Sequence, residues 1–204
     1  MTVSDCGFTP HDIGCPDTLK AILVAWHEPT PKVRTRDHYP VGSYGLVFAG
    51  GGREGALWGG GSTSFQVPML AHGVRRVLAL AEPGMSVQVS AHPELYAHVG
   101  PAGYIWAAKR RAGRAADGKP YAAYQTLLEV ATALREGRWG FRPLVTKGSL
   151  HPGTKEATRL AKGPAYDAAL RYRRENVPSF ARAEPGTAVE YVEPASHSVL
   201  VEGP

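Results

Sequence analysis

With 204 residues the chain suits one domain with appendages, and a hydrophobic fraction of 43% is enough for a core. Lys and Arg outnumber Asp and Glu by 23 to 18, with a pI near 9.3, a mildly basic balance that is compatible with a polyanionic partner without requiring one. No apolar run reaches the roughly 18 residues of a membrane helix and no signal peptide is evident, so no membrane partner is expected and the cytoplasm is the expected location. The cysteines, Cys6 and Cys15, lack the paired His or Cys of a zinc motif and make no disulfide framework.

Residues 1–18 show no periodicity and read as a loose N-terminal segment. Leu19 to Trp26 is a short apolar run of strand length, the expected buried first strand. Glu28 to Pro40, rich in proline and charge, reads as a long loop. Tyr44 to Ala49 and Gly55 to Trp58, separated by Gly50-Gly51-Gly52, read as a hairpin. Ser62-Thr63-Ser64 is an N-cap signal for a helix carrying Val67, Leu70, Val74, Val77, Leu78 and Leu80, stopped by Pro83-Gly84. Met85 to Ser90 follows as a fourth strand, and the intervening helix makes it a candidate parallel neighbour of the first. A strand-to-helix turn at His92-Pro93 leads to the basic segment Tyr104–Pro120. A helix from Tyr121 to about Glu136 is closed by Gly137, and a strand is expected over Phe141 to Lys147. The loop from Gly148 feeds a last helix reaching Ala161. Beyond it, Asp167 to Arg174 has helical patterning, while Thr187 to Val192 and Ser198 to Val201 are short strands or extended tail. The glycine runs 50–52 and 59–61 lack the Lys-Ser/Thr continuation of a phosphate loop and read as turns.

This order of elements, with Trp106, Lys109, Arg110 and Arg111, then Ala115-Ala116-Asp117-Gly118-Lys119-Pro120, then Lys147-Gly148, His151-Pro152 and Leu160-Ala161, resembles the second half of a type 1 ribonuclease H. The resemblance covers about two thirds of the chain. It implies an α/β fold: a mixed five-stranded sheet, three antiparallel strands then parallel strands, with helices on both faces. The domain is expected over residues 19–163, after the segment 1–18 and before a C-terminal extension, 164–204.

Members of that family cleave the RNA strand of an RNA–DNA hybrid with two metal ions about 4 Å apart, held by clustered carboxylates. The resemblance places the first acid in the stretch Val24–His27, at Trp26, and the others at Met69, His92 and Thr158, with Ser149 at the mobile loop histidine. None of these is a carboxylate. A one-residue shift would bring in Glu28, Glu94 or Glu156, and Asp37, Glu190 and Glu193 are acids outside the motifs. A transition-metal alternative pairs His27 with His92, imidazole being a good zinc ligand.

The basic segment keeps the family's pattern better. Lys109, Arg110, Arg111, Arg114 and Lys119 fall within eleven residues beside Tyr104 and Trp106, and Lys147 flanks the loop. Cations meeting phosphates release counterions, and an aromatic ring can stack on a base. Arg171, Arg173 and Arg174 form a second basic cluster. The reading preferred from sequence is a non-catalytic ribonuclease H-like protein that binds RNA–DNA hybrid or structured RNA or DNA and needs no cofactor. The first alternative is an active, Mg- or Mn-dependent ribonuclease H; the second is a protein–protein interaction module in a larger assembly.

Overall fold

A computed structural model describes residues 8–28, 41–62, 66–144, 151–175 and 199–202. Strand β1 (Thr18–His27) sends Leu19, Ala21 and Leu23 to one side of the sheet and Ile22, Val24 and Trp26 to the other. It pairs antiparallel with β2 (Val41–Gly50), which pairs antiparallel with β3 (Arg53–Ser62). Gly51 and Gly52, at φ of 64° and 75°, make the two-residue turn between β2 and β3, a backbone that side-chain-bearing residues adopt at a cost. Helix α2 (Gln66–Leu80) crosses over to β4 (Ser86–Ala91), parallel to β1, and β5 (Gly140–Pro143) extends the parallel half beside β4. The expected five-stranded mixed sheet is present, and a sixth strand joins it. Strand β6 (Val199–Glu202), from the tail, pairs antiparallel with β3, giving the order β5-β4-β1-β2-β3-β6.

The two faces are covered differently. On one, Leu19, Leu23, Leu46 and Phe48 interdigitate with Leu70, Val74 and Val77 of α2 and with Leu127 and Val130 of α5 (Tyr124–Arg135), all within 1% of full burial. Trp139 closes this core and donates its Nε1–H to the Val130 carbonyl at 3.0 Å. Each such aliphatic side chain contributes about 1.5–3 kcal/mol on burial. On the other face the strands carry glycine where a helix must come close. A Cβ on Gly45 would stand 2.2 Å from the Ala157 carbonyl of α6 (Pro152–Leu160), and one on Gly60 would stand 2.8 Å from Ala169 Cβ of α7 (Tyr166–Glu175). Between α6 and α7 a π turn, Ala161–Ala165, accommodates Pro164, which has no N–H for the helical ladder. The buried Ser43 hydroxyl donates to the Ala161 carbonyl at 2.6 Å and pins this turn to β2. Residues 164–175, assigned from sequence to an extension, therefore continue the helix that covers the sheet.

Several expectations shift in detail. The N-terminal segment holds a short helix, α1 (Pro10–Gly14), closed by a capping box between Thr9 and Asp12. The Ile13 and Cys15 carbonyls accept from Gly52 and Gly51, and Asp12 pairs with Lys20 at 2.5 Å, so α1 is fastened to the hairpin. Helix α5 begins three residues after Tyr121 because Ala123, at φ 51°, is left-handed and ends the turn that follows Pro120. Its end is as read: Gly137 is left-handed, Gly137 N–H bonds to Leu134 and Arg138 N–H to Ala133, a Schellman arrangement. Strand β5 stops at Pro143; the expected N-cap residues Thr63 and Ser64, the stretch 145–150, and Thr187 to Val192 lie outside the described residues.

Candidate functional site: the strand ends and the basic handle

The β1–β4 register sets Ile22 opposite Ser90, and β4 ends at Ala91. Continued by two residues, that register brings Val24 level with His92. The residue of β1 beside the end of β4 is thus Val24; Trp26 lies two residues further along. There Lys162 Nζ sits 4.2 Å from the Trp26 ring centroid, a packing contact across the sheet edge of α6 and its π turn.

His92 is where the sequence placed it. It caps α3 (Pro93–Val99), its Nδ1 accepting from Glu94 N–H at 3.3 Å. Its neighbour across the gap is Gln66, the first residue of α2, whose amide donates to His92 Nδ1 at 3.4 Å and, more closely, to the Glu94 carboxylate. Met69 is not in this group. It is 2% exposed, inside the core between α2 and the sheet, so Gln66 and not Met69 is the residue of α2 presented to the strand ends. Thr158 stands on α6, over the opposite face, and its hydroxyl is engaged by the Thr154 carbonyl at 2.7 Å. Of the three positions expected to converge, His92 meets Gln66, Met69 is buried on the α2 side of the sheet and Thr158 stands on α6 over the other. Ser149 and Lys147, like Asp37, Glu190 and Glu193, lie outside the described residues.

A pair of hard cations needs several anionic oxygens. Val24 has no donor atom, Gln66 offers a neutral amide, His92 an imidazole and Thr158 a committed hydroxyl. Glu94 is a single carboxylate already held by Gln66. These residues do not fit a two-metal centre. Nor do they fit the zinc alternative: His27, at the end of β1, turns Nδ1 to the Glu28 carbonyl at 3.1 Å, and among the described residues no group of three or more His, Cys, Asp or Glu could hold a metal ion.

The basic handle is built differently. Helix α4 (Tyr104–Arg110) ends where Ala112 and Gly113 turn left-handed, and the chain returns through Asp117-Gly118 to Pro120, which bridges Arg114. Arg114 donates to the Gly118 carbonyl at 2.8 Å and Arg111 to the Arg114 carbonyl at 3.3 Å, so these two side chains brace the turn while remaining exposed. Lys109 and Arg110 are exposed at the end of α4. Lys119 pairs with Asp117 at 3.1 Å, an exposed contact that contributes little to stability. At the base of the handle Tyr121 N–H bonds to the Gly113 carbonyl, and the Tyr121 hydroxyl meets His98 Nδ1 at 2.5 Å. Burial holds the His98 imidazole below its usual range and pushes the Tyr121 hydroxyl up to about 12, so the pair stays neutral at pH 7.

Trp106, expected from sequence to be a stacking residue, is half-buried against the core; its Nε1–H donates to the Gly100 carbonyl at 2.8 Å, and Arg135 of α5 lies 4.6 Å from its ring centroid. Arg135 occupies the place a base would take. Among the described residues the exposed large aromatic groups are Tyr104, 61% exposed, with His98 against it edge-on, and Tyr96, 42% exposed. Tyr96 stacks on Phe141 at 5.0 Å. Tyr104 was named in the sequence beside the basic run; Tyr96 was not singled out.

No family model matches the sequence, and no curated protein gives a significant match. Solved structures do. LC9-RNase H1, a type 1 RNase H with the type 2 active-site motif, is 13% identical, the match covers 90% of this chain and 95% of that one, and the TM-score is 0.50. A foamy viral protease-reverse transcriptase solved in complex with dsDNA is also 13% identical, with 78% of this chain and 99% of that chain covered and a TM-score of 0.50. The element order, the mixed sheet and these neighbours agree: the chain has the ribonuclease H-like fold of type 1.

Proposed function

We propose that this protein binds nucleic acid, an RNA–DNA hybrid or structured RNA or DNA, through the handle of a ribonuclease H-like domain, and that it does not cleave by the two-metal route. The observation that carries the reading is the contrast in donor sets: exposed Lys109, Arg110, Arg111 and Arg114 on the handle, against Gln66, His92 and Glu94 at the strand ends, a group with a single carboxylate that Gln66 already holds. Among the described residues none of those four cations has a carboxylate partner. Tyr104 adds an exposed ring beside them on which a base or sugar can stack. The likeness to a ribonuclease H and to a reverse transcriptase held with dsDNA favours a nucleic acid over a protein as partner.

The test is binding of a labelled hybrid across a salt series. If the handle meets phosphates, log affinity falls linearly with log salt, by about 0.9 per contact on a B-form duplex and less on single strands. Affinity independent of salt would sink the reading and move the protein-interaction alternative to first place.

A further inference from the structure

We propose that Arg135, Trp106 and Lys109 form a phosphate clamp at the root of the handle, extending the nucleic-acid footprint from α4 onto α5; this rests on the binding reading above. Two cations are gathered over one ring, Arg135 Cζ at 4.6 Å and Lys109 Nζ at 6.0 Å from the Trp106 centroid. The ring is a fixed platform, since its Nε1–H is held by Gly100 and its body packs on the core.

Several other exposed basic side chains meet acids: Arg75 with Glu129, Arg138 with Glu136, Arg159 with Glu156, Lys119 with Asp117. Arg135 and Lys109 are exposed and have no such carboxylate among the described residues. Glu136, the nearest acid in sequence, is directed to Arg138 at 3.9 Å. The ring's quadrupole offsets part of the repulsion between the two cations without cancelling their charge. A guanidinium held against an aromatic face keeps N–H groups at its rim for the paired hydrogen bonds a phosphate accepts, and being held already it loses less freedom on binding. Lys109 supplies a second, mobile charge to the same anion. The ligand class is a phosphodiester phosphate, and Trp106 acts as the positioning residue for the two cations.

The experiment compares Arg135→Ala, Arg135→Lys and the Arg110→Ala/Arg111→Ala pair in the full chain, with labelled hybrid over a salt series, and follows the assigned Trp106 Nε1–H resonance during titration with inorganic pyrophosphate. The clamp predicts that Arg135→Ala lowers the salt slope by about 0.9, and that Arg135→Lys keeps the slope but weakens binding because the planar fork is lost. It also predicts that pyrophosphate shifts the Trp106 resonance in the native protein and not in Arg135→Ala. If Arg135→Ala binds with native affinity and slope while the Arg110/Arg111 pair weakens binding, the clamp is wrong and the handle reading stands. If the native protein binds no hybrid, the handle reading falls, and the pyrophosphate titration decides the clamp: a shift lost on substitution supports it, no shift overturns it. Should Arg135→Ala fail to fold, Arg135→Lys takes its place: weaker binding with a native pyrophosphate shift supports the clamp, and native affinity or no shift overturns it.

Discussion

On the handle, Lys109, Arg110, Arg111, Arg114 and Lys119 stand in solvent with Asp117 as the one acid of the segment. At the strand ends, Gln66, His92 and Glu94 are polar groups that satisfy one another. Both regions sit at helix ends on the same sheet scaffold. Lys109 and Arg110 have no hydrogen-bond or carboxylate partner among the described residues and are available to a ligand, whereas Arg111, Arg114 and Lys119, like the groups at the strand ends, give up a contact before binding. The difference separates a surface ready for a polyanion from an exposed cluster whose hydrogen bonds join α2 to α3.

The scaffold that sets both regions can be broken first. Gly45→Ala drives a Cβ into the Ala157 carbonyl and the backbone at Ala161, with no flexible side chain to yield. Overpacking of this kind costs typically 1–3 kcal/mol, and here about 3 kcal/mol or more is expected in denaturant unfolding, with α6 displaced. An unchanged midpoint would mean that α6 does not lie on the glycine face.

Acid acts on α2 next. That helix contains His72, whose pKa burial lowers to about 4, with Arg75 adding a smaller push in the same direction. The folded value lies below the unfolded one, so the stability is fully present above about 6.5 and is lost as the pH falls toward 4. The span corresponds to roughly 3 kcal/mol of unfolding free energy. A His72→Gln variant whose stability falls as steeply as the native protein's between pH 6.5 and 4 would contradict this.

Replacing Arg110 and Arg111 by Ala sharpens the comparison on the handle. The salt slope should fall by up to about 2 with binding weakened on every sequence alike, while the melting profile stays within about 0.5 kcal/mol of native. At the strand ends Gln66→Ala should cost about 1 kcal/mol or less, because the bonds it breaks are exposed, and should leave the salt slope alone. A changed slope there would show the strand ends in contact with the nucleic acid after all.

The first strand, the hairpin turn and one helix end were legible because they are written locally: the apolar run Leu19–Trp26, the glycine turn at 51–52, the left-handed Gly137. The site was less so. Trp26 and Val24 cannot be told apart along the chain; only the register with β4 decides which is level with His92. Met69 and Gln66 are three residues apart on one helix, and burial against β1 separates them. Trp106 reads as a free ring in the sequence because the guanidinium over it comes from Arg135, 29 positions away. Each miss is a non-local contact, which periodicity does not contain.

The most direct measurement incubates the native protein with an end-labelled RNA–DNA hybrid in Mg²⁺ and then in Mn²⁺, reading anisotropy and strand length in the same tube. The account predicts a salt-dependent rise in anisotropy with the RNA strand intact under both metals. Metal-dependent shortening of the RNA, abolished by chelation, would contradict it and establish metal-binding carboxylates beyond the lone Glu94 of the strand ends.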